Sequence, residues 1–120
     1  MTGILDPDTL LAQLLPKQQH MKADTETTRI YVAVYRLRKL MRANKVAITE
    51  LLGHRDSIGD RYRGPDELLD DCIEARMEKD PCMVTYHQEM RAQLELRDEY
   101  SASLRKLNEE ILSMSHHKAQ

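Results

Sequence analysis

The stretch MRAQLELRDEYSASLRKLNEEILSM, Met90 to Met114, contains no glycine or proline and carries apolar residues down one side. With Leu104 at heptad position a, the a and d positions are Met83, Tyr86, Met90, Gln93, Arg97, Tyr100, Leu104, Leu107, Ile111 and Met114. That alternation of three and four predicts one long helix with a narrow apolar seam. An isolated helix of this length is marginal in water unless the seam is covered. Each large apolar side chain gains about 1.5–3 kcal/mol when fully buried, so the seam is expected to close on another helix. That helix belongs either to this chain or to another chain.

The remaining glycines and prolines punctuate the sequence before this run. In LDPDTLLAQLLP, Asp6 is placed to cap a short helix, Pro7 to sit in its first turn and Pro16 to stop it. Asp24 and Thr25 are cap candidates for a second helix, over about 24–52, with Gly53 expected as its C′ residue. Ile30, Ala33, Val34, Leu37, Leu40, Met41, Ala47, Ile48, Leu51 and Leu52 are assigned to its core stripe. Tyr31, Val32 and Tyr35 point away from that stripe, which predicts a second covered side at this end. IYVAVY has the composition of a strand, but no turn and no second strand accompany it, so helix is expected. GHRDSIGDRYRG reads as a polar connection anchored by Ile58 and Tyr62. Pro65 opens an acidic helix over about 65–79, and Asp80-Pro81 starts the last helix, over about 81–115. Residues 1–22 are thus set apart as short helix and linker, 23–115 as a helical domain and 116–120 as a tail.

Composition supports slender helices over a thick globule. Phe and Trp are absent, aromatics make up 4% and charged residues 32%, above the usual quarter. Aromatic side chains bring the largest burial areas, and a compact core normally uses several. No apolar run approaches the length needed to span a bilayer, so no membrane partner is expected. MTGILDPDTLL has no basic region followed by an apolar block, and its glycine is third, so neither a signal peptide nor N-myristoylation is expected. Cys72 and Cys82 read as free thiols of a cytoplasmic or nuclear protein.

Charge is uneven along the chain. Arg29, Arg36, Arg38, Lys39, Arg42 and Lys45 form a basic block with no acidic residue inside it, whereas 66–80 holds seven acidic residues. Two readings follow: the basic and acidic helices neutralise each other side by side, or Arg36, Lys39, Arg42 and Lys45 bind nucleic-acid phosphates. The first fits better, because the net charge is −2 and the cations spread around half of the helix. Cys82 and His87 point to different faces of a helix, and His116-His117 sit in the expected tail, so no metal ligand set is expected. The His-Arg-Asp string in GHRDSIGD lacks every other part of a kinase catalytic loop. Neither an enzyme nor a cofactor is expected.

The expectation is an all-α chain, an elongated helical hairpin or bundle with a C-terminal coiled-coil helix. In size and style it is similar to the small helical subunits of multiprotein assemblies, a likeness of architecture alone. The expected function is a non-catalytic scaffold or adaptor subunit, pairing with a protein partner or with itself. Its expected interface is Met90, Arg97, Tyr100, Leu104, Leu107, Ile111 and Met114, with Leu37, Asn44 and Ile48 on the long helix. Gln93, Arg97 and Asn44 interrupt the seams, and polar seam residues set register or partner choice. The alternatives are nucleic-acid binding through the basic block, or regulation of a partner enzyme.

Overall fold

The computed structural model describes residues 3–19, 25–63 and 70–118. The chain is all-α, with helices α1 (Pro7–Gln19), α2 (Thr25–Tyr62), α3 (Asp70–Met77) and α4 (Pro81–Lys118) and no strand among the described residues. IYVAVY lies inside α2. The chain divides into two compact units: Met1–Ala43 with Arg97–Gln120, and Asn44–Leu96.

In the first unit, α1, the start of α2 and the end of α4 share one core. Leu10, Leu11 and Leu14 of α1 meet Ile30, Val34 and Leu37 of α2 and Leu104 of α4, all buried. Tyr100, Leu107, Ile111 and Met114 pack against this cluster and are half-buried. The Asp6 carboxylate accepts a bond from Thr9 N–H at 2.8 Å and caps α1 as expected. That bond, above all, holds Asp6 below the ordinary carboxylate value. Asn108 fastens the segment before α1: its Oδ1 accepts Leu5 N–H at 3.1 Å and its Nδ2 donates to Leu5 O at 3.2 Å.

In the second unit the rest of α2, α3 and the start of α4 enclose Leu51, Ile58, Met77, Met83 and Tyr86. Asn44 meets Gln93 while Tyr62 meets Asp80, so α2 and α4 run antiparallel here. Asp80 is the N-cap of α4, its Oδ1 accepting Cys82 N–H at 2.8 Å, and Pro81 takes the first helical position.

Several boundaries differ from those expected. Gly53 does not end α2, which continues to Tyr62, and no glycine among the described residues adopts a positive φ. Leu51, Ile58 and Tyr62 fall at helical spacing and pack on the second core, and burial of that stripe outweighs two glycines worth about 1 kcal/mol each. Pro16 lies inside α1, with helix continuing to Gln19, because a proline this close to the end removes one N–H and leaves the following donors their acceptors. α4 extends through the expected tail to Lys118, and α3 ends at Met77, before a turn. The Pro65 opening of the acidic helix and the Asp24 cap lie outside the described residues. Leu40 and Leu52, assigned to the stripe, are 48% and 47% exposed. A fixed stripe drifts around a 3.6-residue helix, and these two fall off its edge. The second covered side expected for Val32 and Tyr35 is not found among the described residues, since both remain exposed.

Candidate functional site

The seam residues close inside the chain. Leu104 and Leu37 are buried in the first core, and Tyr100, Leu107, Ile111 and Met114 line it. Met90 packs against the second core, and Ile48 is half-buried. Asn44 is 7% exposed, and its Nδ2 donates to Gln93 O at 2.8 Å and to Gln93 Oε1 at 3.0 Å. Two expected seam interruptions therefore satisfy each other. Arg97 is exposed and meets no carboxylate among the described residues, which places its head in water at the seam edge.

The basic block is partly spent within its own unit. Arg29 pairs with Glu26 and, at 3.2 Å, with Glu110, and both carboxylates, Glu26 first, raise its pKa. Arg38 Nε lies 2.7 Å from Asp8 Oδ1, a Coulombic contact whose N–H is not aimed for a hydrogen bond. Arg42 lies 3.6 Å from the same oxygen. The neutralising carboxylates are thus Asp8, Glu26 and Glu110, whereas the sequence suggested the acidic helix; no described side chain of α3 takes part. Arg36 and Lys45 meet no carboxylate among the described residues, and Lys39 Nζ sits 4.8 Å from the centre of the Tyr35 ring. Of the four candidate phosphate ligands, Arg42 is the one paired with a carboxylate among the described residues.

Beside these cations α2 also exposes large apolar side chains. Val32 and Tyr35 are 40% and 41% exposed, and with Tyr31, Arg36 and Lys39 they line a hollow of about 300 Å³. All five residues come from one helix, so the hollow is a groove between side-chain rows, open to solvent.

The second unit carries a wider cleft of about 620 Å³, floored by Leu51, Ile58 and Tyr86 and rimmed by His54, Ser57, Arg61, Cys82, Thr85 and Glu89. Sequence reasoning missed it, because half of the rim lies on the segment expected to be a connection. Arg61 is held above its ordinary value, first by its contact with the Cys82 side chain and also by Asp80. Tyr62 Oη donates to Asp80 Oδ2 at 2.6 Å, which lowers the Asp80 pKa and raises that of Tyr62. These contacts tie the end of α2 to the turn that precedes α4. Among the described residues no three His, Cys, Asp or Glu side chains gather to hold a metal, and no helix is long and apolar enough to cross a membrane.

No family model matches the chain, and neither a curated protein nor a solved structure matches it significantly.

Proposed function

We propose that the chain is a non-catalytic helical scaffold or adaptor subunit that mediates protein–protein association. The observation that carries this reading is the outer side of α2 in the first unit. There Val32 and Tyr35 stand exposed beside Arg36 and Lys39. Neighbouring large apolar side chains held in water on a regular helix are what an interface core is made from. The heptad run is read as antiparallel coiled-coil pairing of α2 with α4, which builds the scaffold and leaves association to outward faces. A cytoplasmic or nuclear setting accompanies this reading, in keeping with the exposed free thiol of Cys82.

Proximity labelling in the protein's own cells tests it, comparing the chain with a Val32→Ser/Tyr35→Ser variant whose helicity is first shown to be unchanged. A reproducible set of labelled proteins that the variant loses is the expected result. Identical labelling by both forms, together with a monomeric sedimentation-equilibrium mass at all concentrations, overturns the reading.

Nucleic-acid binding is the second reading, favoured by the three cations Arg36, Lys39 and Lys45 that meet no carboxylate among the described residues. A single-strand contact made by three cations gives a slope of about −2 for log affinity against log salt, so binding of an RNA oligonucleotide with that slope supports it.

A further inference from the structure

We infer that the outer side of α2 in the first unit is the docking site for an acidic amphipathic helix of a partner protein. The inference rests on the adaptor reading and names the chemistry of its partner.

Two adjacent side-chain rows define the site. Tyr31, Tyr35 and Lys39 are spaced by four, as are Val32, Arg36 and Leu40, and such rows flank the groove that another helix's ridge fills, at a crossing near −50°. The hollow of about 300 Å³ lies between these rows and has room for apolar anchor side chains. Leu40, 48% exposed, prolongs the apolar lining at the far end of the second row. Tyr31 is half-buried against the core, which fixes one wall.

Charge selects among occupants. Both cations of the site, Arg36 and Lys39, are unmatched by a carboxylate among the described residues. The Lys39 ammonium is held over the Tyr35 ring, at the margin of the apolar floor. A second copy docking isologously would set like charges opposite one another, which is unfavourable. A helix with an apolar ridge flanked by Asp and Glu satisfies the floor and both cations together. Nucleic acid uses the cations but leaves Val32 and Leu40 without a partner, and two tyrosines offer a thin stacking platform.

The test is a display selection on the full chain. The library is helical peptides with Leu at every fourth position and randomised flanks, counter-selected on an Arg36→Glu/Lys39→Glu variant that circular dichroism shows to be folded. Enriched sequences are expected to carry Asp or Glu beside the ridge. Their binding is expected to fall about tenfold on Arg36→Glu, Lys39→Glu or Tyr35→Ser, and to return to the charge variants when the facing acid becomes Lys. Enrichment of neutral or basic flanks, no enrichment over the counter-selection, or displacement by a single-stranded RNA oligonucleotide that binds the same residues more tightly overturns the proposal. Peptides that bind but ignore these substitutions overturn this face while leaving the adaptor reading standing. Failure of both the selection and the proximity labelling removes both.

Discussion

The side-chain amide of Asn44 donates to both the backbone carbonyl and the side-chain oxygen of Gln93, at 2.8 and 3.0 Å. The two residues are 49 positions apart, on α2 and α4, and each breaks an apolar seam. A polar pair inside a seam is satisfied in one register only, because a shift leaves an amide buried without a partner. Asn44→Ala is expected to cost about 1–3 kcal/mol in urea denaturation. Replacing both by leucine is expected to recover much of that loss while reducing uniqueness of pairing, read as broader NMR lines. Equal costs for Asn44→Ala and an exposed alanine substitution show the bond to be energetically idle.

Gly53 provides a direct check on the extent of α2. It has no positive φ, and a Cβ built on it meets nothing within 4 Å. Gly53→Ala is expected to stabilise the chain by about 0.5–1 kcal/mol, because alanine loses less backbone entropy in a helix. A left-handed helix end at this position gives the opposite sign, so the direction of the shift in thermal melting distinguishes the two.

Leu104, Leu107 and Leu112 separate fold from association. Leu104 is 8% exposed and Leu112 50% exposed on the same helix. Leu104→Ala is expected to cost about 2–5 kcal/mol, and Leu112→Ala under about 0.5. Leu107→Asp puts a charge against the first core and is expected to lower helicity and melting temperature. Reduced self-association with an unchanged melt shows instead that Leu107 faces a second chain.

The Tyr62–Asp80 bond gives the acid limb of stability a defined sign. The phenol holds the Asp80 pKa below its ordinary value of 3.8 in the folded chain. Its contribution is therefore fully present above 3.8 and is lost as pH falls through the lower folded value. Tyr62→Phe is expected to flatten melting temperature against pH below about 4, and Asp80→Asn to flatten it further, because the amide keeps the α4 cap but has no carboxylate to titrate. Unchanged acid limbs in both variants rule out Asp80 as a source of the acid dependence.

Heptad spacing in 83–114 and the stripe from Ile30 to Leu51 are statements about period, and period is local. They determine that the chain is helical, that α4 is long and that Leu37 and Leu104 face inward. Caps are equally local: Asp6-Pro7 and Asp80-Pro81 bind the N–H groups two or three residues on, and both lie where their spelling places them. Gly53 and Pro16 are penalties, and a penalty ends a helix only when nothing opposes it. Ile58 packing beside Met77, and Leu14 beside Ile30, supply that opposition from remote parts of the chain. Pairing is remote in the same way. Asn44 with Gln93, Asn108 with Leu5, and Asp8 with Arg38 join residues whose spacing in sequence carries no trace of their contact. The sequence by itself determined helix type, amphipathic faces and the starts of α1 and α4, because those free energies are settled within one or two turns. Which cations stay unmatched among the described residues, which seam residues are covered in cis, and which side chains of α2 stay exposed were decided by the tertiary structure, because each depends on side chains brought together only by folding.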